Sequence, residues 1–314
     1  MKSQDAGPGN EGSPPRWVVV RVSGWDIVSI DSTHTPVEVT FPGGLTYLPT
    51  TQAIMNRLEG KTTLITGASA GIGEACARTF ASFGSHLILC ARREDRLEAL
   101  ASELERDRGI SVLTRSLDVR DRQEVEAFAS FLDSRGQVPD VLLNNAGKAL
   151  GLHLLHEGLV EDWEEMLDTN VKGLLYMTRS ILPAMVERNT GHIVNIGSIA
   201  GHQVYQKGAV YNASKFAVKA LNEGMALDLM GTGIKVSSID PGLVETEFSR
   251  VRFHGDDDRA RTIYEGYQPL TGQDIADIVA FVVNTPDHVN ILDLIVLPTA
   301  QRSAHMVHKE PTGE

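Results

Sequence analysis

Thr62-Thr63-Leu64-Ile65-Thr66-Gly67-Ala68-Ser69-Ala70-Gly71-Ile72-Gly73 is a short apolar run that ends in a cluster of small residues. Glu74–Phe83 follows with the texture of a helix. A strand, a glycine-rich turn and a helix start together make an anion site. Small residues let a backbone approach closely, and the free N–H groups of a helix N-terminus face a phosphate. The spacing is Gly-x-x-x-Gly-x-Gly, not the Gly-x-Gly-x-x-Gly of the general dinucleotide fingerprint.

Downstream the pattern repeats. His86–Ala91 reads as a buried strand, Glu94–Arg106 as an amphipathic helix, Ser111–Leu117 as a strand ending at Asp118-Val119, and Glu124–Ser134 as a helix. Val141–Leu143 runs into Asn144-Asn145-Ala146-Gly147. Strands alternating with helices predict βαβ units in a parallel sheet, with ligands at the carboxyl ends of the strands. The unusual residues lie at those ends. Asp162–Arg188 carries an apolar stripe at helical spacing, interrupted by Asn170, and Pro183 predicts a kink or local break. His192–Ile196 is a strand ending at Gly197-Ser198; Lys235–Ile239 is another, stopped by Asp240-Pro241-Gly242. A helix over Asp274–Asn284 and a strand over Ile291–Leu297 close the chain.

Between the strands His192–Ile196 and Lys235–Ile239 lies Tyr211-Asn212-Ala213-Ser214-Lys215, which places a phenol and an ammonium at i and i+4 on one helix face. A phenol that exchanges protons near neutral pH is handicapped by an ordinary pKa of about 10, and a neighbouring ammonium favours the phenolate. The pair makes sense as an acid/base couple; alone, it reads equally as two residues on a solvated face.

The chain has 314 residues, 42% of them hydrophobic, enough to bury a full core. A formal charge of −12 argues against general affinity for nucleic acid or an anionic membrane. Cys76 and Cys90 have neither disulfide-framework nor metal-ligand spacing and read as buried thiols. His153, His156 and His254 show no metal pattern either, so no metal is expected. A cytoplasmic protein without a membrane span is the expectation.

Residues 1–16 are rich in Gly, Pro, Ser and Asn and are expected to be disordered. Strand-like fragments follow at Val18–Val22, Trp25–Ile30 and Val37–Phe41. Residues 1–54 are read as a dispensable, disordered or irregular extension, and 55–314 as one domain.

With these pieces in order, the chain resembles the short-chain dehydrogenase/reductase family. The resemblance rests on Thr66–Gly73, Asp118-Val119, Asn144–Gly147, Asn170, Ser198, Tyr211 with Lys215, and Pro241-Gly242 with Thr246. It covers residues 57–310. Glu247–Asp257 and Leu297–His308 look most like the branch that oxidises serine, allo-threonine and 3-hydroxy acids with NADP. The fold implied is α/β: a doubly wound, Rossmann-like parallel sheet of seven strands in a single domain.

The resemblance implies a catalytic set of Asn170, Ser198, Tyr211 and Lys215. Tyr211 would exchange the proton, and Lys215 would lower its pKa and hold the nicotinamide ribose. Ser198 would orient the substrate oxygen, and Asn170 would hold a relay water. Against these, Ser198 could be a loop serine capping a helix, Asn170 a core amide, and Asp118 a helix N-cap. The implied cofactor contacts are Gly67, Ser69, Gly71, Ile72, Gly73, Arg92, Arg93, Asp118, Val119, Asn145, Ala146, Gly147, Tyr211, Lys215, Pro241, Gly242, Val244 and Thr246.

The second strand ends Leu89-Cys90-Ala91-Arg92-Arg93 with no acid until Glu94, which favours NADP over NAD, since guanidinium groups suit a 2′-phosphate. After Pro241-Gly242, Arg250 and Arg252 stand among Phe248 and Phe253; Arg252 is the expected partner of a substrate carboxylate, beside Ser198 and Tyr211. The alternative is that both arginines pair with neighbouring aspartates. His202, Gln203 and Tyr205 fall either in the pocket or on a surface loop. A small 3-hydroxy acid is the expected substrate and a homotetramer the expected assembly. Carrier-bound 3-oxoacyl groups, steroid-like ketones, or dinucleotide binding without turnover are the other readings.

Overall fold

The computed structural model describes residues 56–310 and, before them, the backbone of two short strand pairs, Val19–Val22 with Trp25–Val28 and Val39–Thr40 with Thr46–Tyr47. These pairs belong to a unit, Met1–Met55, separate from that of Asn56–Glu314. Val19–Val22, Trp25–Val28 and Val39–Thr40 fall on the expected strand-like fragments and Thr46–Tyr47 falls outside them; the disorder expected over 1–16 lies outside the described residues.

In the larger unit the alternation produces β1 Thr62–Thr66, α1 Gly71–Ser82, β2 His86–Ala91, α2 Glu94–Arg108, β3 Val112–Ser116, α3 Arg122–Ser134 and β4 Val141–Asn144. The second half adds α4 Val160–Leu167, α5 Leu174–Arg188, β5 Gly191–Ile196, α6 Ala209–Asp228, β6 Ile234–Pro241, α7 Glu247–Arg252, α8 Asp257–Thr262, α9 Gly272–Val283 and β7 Asp293–Val296. The seven strands form one parallel sheet in the order β3-β2-β1-β4-β5-β6-β7. The chain therefore reverses its winding between β1 and β4, and the ends of those two strands open the crevice where ligands bind in such sheets.

The strands read as near-continuous apolar runs because both sheet faces are covered. Ile65, Leu87, Leu89, Leu143 and Val194 face a core under α1, α2 and α9 that includes Phe80. Their neighbours Leu64, Ile88, Leu142 and Ile193 face the opposite core, under α3, α5 and α6, with Phe128. Side chains alternate across the pleat, so each strand serves both cores. A one-residue slip would exchange every partner.

The irregularity expected at Pro183 lies elsewhere. Pro183 sits inside a continuous α5, while Asp168–Gly173 forms a π-helical stretch joining α4 to α5. There a Cβ on Gly173 would meet Val119 Cγ2 at 2.7 Å, so the backbone of this stretch runs close against the turn that follows β3. Asn170, on this stretch, is buried.

Candidate active site

A cavity of about 580 Å³ opens at the carboxyl ends of the strands. Its floor begins at the Thr66–Gly73 turn. Gly67 and Gly71 take positive φ, +69° and +60°, which side chains rarely adopt. At Gly73 a Cβ would stand 2.5 Å from both Asn145 Nδ2 and Gly67 O. Gly67 and Gly73 therefore cannot be replaced without moving backbone. Asn145 completes the join, donating from Nδ2 to Thr66 O at 2.8 Å, while Thr66 Oγ1 accepts from the N–H groups of Asn145 and Ala146, each at 3.0 Å. The N-cap of α1, Ala70, provides no side-chain cap, so the first-turn N–H groups remain available to an anion.

At the exposed end of the cavity Arg93 Nε donates to Ser69 Oγ at 3.1 Å. Its Nη1 and the Nη1 of Arg96 both donate to Glu247, each at 2.8 Å. A carboxylate is thus gripped by the two guanidinium forks beside the glycine turn. The same donors suit a ribose 2′-phosphate, so the donor set fits NADP. Arg92 lines the cavity more loosely, 4.0 Å from Glu165. Asp118 and Val119 line the same end. Asp118 is not the N-cap of α3; Asp121 is, accepting from Gln123 and Glu124 N–H. Asp118 instead binds Arg120, Nη2 to Oδ2, at 2.6 Å. Ile72, Ala146, Gly147, Pro241, Gly242, Val244 and Thr246 also line the cavity; Gly73 lies behind it as packing.

At the buried end Tyr211, Ser198 and Lys215 meet on the cavity wall. Lys215 Nζ donates to Ile196 O at 2.9 Å and lies 5.9 Å from the Tyr211 ring centroid. Burial pushes the Lys215 ammonium down to about 8, opposed by Asp240. Burial also pushes the Tyr211 phenol up, with Ser198 and Arg252 pulling the other way. Desolvation is the larger of these effects, and the phenol is protonated at neutral pH. Ser198 is both a cap and a site residue. Its Oγ accepts from Ala200 N–H at 3.1 Å, donates to Pro241 O at 3.3 Å, and faces the cavity. Asn170 clamps the chain after Gly147, accepting from Lys148 N–H and donating to Lys148 O, both at 2.8 Å, and donating to Ser214 Oγ at 3.0 Å.

The segment after Gly242 lines the cavity from Leu243 to Arg252. Its two arginines separate. Arg250 pairs with Asp257 at 3.0 Å on the surface, as the blander reading had it. Arg252 turns inward: Nη2 donates to Tyr205 Oη at 2.8 Å, Nε to Gly151 O at 3.3 Å, and the guanidinium lies 5.7 Å from the Tyr211 ring centroid. Among the described residues no carboxylate lies within 4.0 Å of it.

Sequence reasoning missed two charge clusters, because their members are far apart in the chain. Lys148, buried beside the cavity, is hydrogen-bonded to Glu165, which also pairs with Arg120 at 3.1 Å. His202, Asp240 and Asp293 bring ring nitrogen and carboxylate oxygens within 4.8 Å of one another behind Ser198. Of the undecided trio, Tyr205 lines the cavity, His202 enters this cluster, and Gln203 accepts from Ala304 N–H. Cys76 and Cys90 are free and buried. Among the described residues no helix is long and apolar enough to cross a membrane.

The short chain dehydrogenase family model matches residues 61–257. The NADP-dependent 3-hydroxy acid dehydrogenase YdfG of Salmonella typhi is 49% identical over 248 residues, 78% of this chain and 98% of the relative. The NADP-dependent 3-hydroxy acid dehydrogenase of Schizosaccharomyces pombe is 42% identical over 257 residues, covering 82% and 99%. Among solved structures, the closed form of a serine dehydrogenase complexed with NADP+ superposes with a TM-score of 0.74 at 45% identity, covering 79% of this chain and all of that one.

Proposed function

The chain belongs to the short-chain dehydrogenase family, and on that premise we propose that it is an NADP(H)-dependent oxidoreductase interconverting a small 3-hydroxy acid and its carbonyl form. NADPH, when bound, supplies the hydride; the chain supplies position, proton and specificity. The glycine turn and α1 N-terminus hold the pyrophosphate, Arg93 with Ser69 the 2′-phosphate, Asp118 and Val119 the adenine side, and Lys215 the nicotinamide ribose. Ser198 donates to the substrate oxygen and orients it, a contact that strengthens as negative charge develops there. Tyr211 gives its phenolic proton to that oxygen in reduction and takes it back in oxidation. A buried, protonated phenol suits the first task directly. Asn170 carries the return route: a Cβ on Gly147 would stand 3.3 Å from Asn170 Oδ1 and 3.7 Å from Lys215 Nζ, so both atoms border the same small space.

Arg252 carries the substrate reading. It is the cation on the cavity wall beside Tyr211, and Tyr205 and Gly151 O hold its fork without neutralising it. A carboxylate two carbons along from the reacting carbon would complete it through charge-assisted, bidentate hydrogen bonds. The test compares 3-hydroxybutyrate with 2-butanol, which differ in the carboxylate, in Arg252→Ala. A loss of kcat/KM on the order of 10–100-fold for the acid, with the alcohol little changed, supports the reading. Equal losses for both remove Arg252 as the anion site.

The same reading includes a homotetramer built on α5 and α6. Leu175 and Val186 of α5, Phe216 and Leu227 of α6, and Met230 just beyond it are large apolar side chains left exposed. Light scattering that returns a monomer mass at micromolar concentration excludes it. Two unpaired buried thiols and NADP(H) chemistry fit the cytoplasm.

A further inference from the structure

We propose that His202 is a positioning residue for this reaction: through Asp240 it locks the turn that carries Ser198 and holds a buried carboxylate behind the Tyr211–Lys215 pair. The inference rests on the oxidoreductase reading above.

The turn from Ile196 to His202 is stitched to the end of β6 at three points. Gly197 N–H donates to Ile239 O at 2.8 Å, Ser198 Oγ to Pro241 O at 3.3 Å, and His202 Nε2 meets Asp240 Oδ2 at 2.9 Å. The first two lie before the Ile199–Gly201 turn; His202 is the stitch after it. Past the turn, Gln203 is tied to Ala304 and Gly201 packs on α6 at Lys215 O, so His202 is the one tie on that side that returns to β6. Asp240 is deeply placed, 1% exposed, and its Oδ1 accepts from Ser238 Oγ at 2.9 Å. A Cβ on Gly197 would stand 1.6 Å from Asp240 Oδ1, so the carboxylate fills the space that any side chain at 197 would need. The carbonyl that holds Lys215 belongs to Ile196, the residue before. One carboxylate thus sits behind the anchor points of both Ser198 and Lys215.

The groups facing His202 decide its tautomer. Asp240 on β6 and Asp293 on β7, the latter at 3.7 Å, approach Nε2, and Lys219 Nζ on α6 lies 3.2 Å from Nδ1. An ammonium can only donate, so Nδ1 accepts and Nε2–H donates to Asp240. That donation favours the ionised carboxylate. Burial and Asp293 push Asp240 up to about 6, while His202 and Ser238 oppose the rise. Asp240 in turn favours the Lys215 ammonium. Removing the His202 donor therefore lets Asp240 take a proton at higher pH, which withdraws the charge supporting Lys215.

The test is the pH profile of kcat for His202→Ala and His202→Gln, with melting temperature and NADPH affinity measured alongside. His202→Ala is expected to lower kcat at pH 7 about tenfold, with KM changed less, and to move the acid limb from near 6 upward by about one pH unit, the worth of one lost charge-assisted hydrogen bond. The glutamine variant keeps an N–H at similar reach and is expected to restore the limb. Asp240→Asn should abolish that limb and move the alkaline loss of NADPH binding, read by fluorescence without substrate, to lower pH. A glutamine variant with an unrestored limb, an Asp240→Asn binding profile that matches wild type, or a His202→Ala profile that only scales down each overturn the proposal. Wild-type protein that turns over no 3-hydroxy acid would instead overturn the substrate reading.

Discussion

The two ends of the cavity use the same kinds of group in opposite ways. At the outer end Arg93, Arg96 and Glu247 are roughly half-exposed and pair at 2.8 Å. At the inner end Lys215 and Asp240 are buried, and burial moves them to about 8 and about 6. Water decides the difference. Exposed pairs exchange one set of hydrogen bonds for another at little net gain and give way to a better anion. Buried groups keep their perturbed pKa values, since the few hydrogen bonds Lys215 and Asp240 receive only partly replace the lost solvation. The outer end is suited to recognition and release, the inner end to proton chemistry.

The strongest way to break this contrast is Tyr211→Phe. It removes the exchanged proton and is expected to cost 10²–10⁴-fold in kcat, with NADPH affinity altered only a few-fold by fluorescence titration. Retained turnover would remove the inner end as the site of proton transfer.

Lys215→Met sharpens the contrast through stability. The folded pKa lies below the ordinary 10.5, so burying the ammonium costs stability in full below pH 8, and the cost fades as pH rises from 8 toward 10.5. The variant should be inactive yet more stable at pH 7, by on the order of 1–3 kcal/mol in denaturant melts, with the gain shrinking above pH 8. A loss of stability at neutral pH would show that the Ile196 hydrogen bond outweighs desolvation.

At the outer end Arg93→Ala should reduce the preference for NADP over NAD about 10–100-fold, read from kcat/KM with each cofactor. Glu247→Gln is expected to act in the opposite direction and weakly. Freeing both guanidinium groups should tighten 2′,5′-ADP binding by no more than about fivefold, and the gain should vanish at high salt. A salt-independent effect would mean that this pair behaves like the buried one. The smallest change is expected from a chain that begins at Met55. Relatives matched over 98% of their own length cover 78% of this chain, and both ends of the cavity are built from residues after Asn56. Lost activity in that shorter chain would make the first unit part of the enzyme.

What the amino-acid sequence determines here is what local spacing can encode. The glycine turn, the strand-end asparagines and the i, i+4 pairing of Tyr211 with Lys215 follow from residue type and period, and each occupies its expected place. The seven-strand alternation is of the same kind, since apolar runs and amphipathic helices carry it directly. What tertiary structure alone decided concerns charges brought together from distant segments. Arg250 and Arg252 are two residues apart, and only the fold sends one to solvent and the other to Tyr211. The irregularity expected at Pro183 lies instead in the π stretch Asp168–Gly173, where Gly173 packs closely on Val119, a contact across 54 positions. His202 and Asp240 read locally as a loop residue and a strand stop. Burial gives them their meaning, for a hydrogen bond to a carboxylate counts for most where water cannot compete, and sequence spacing carries no record of where water is excluded.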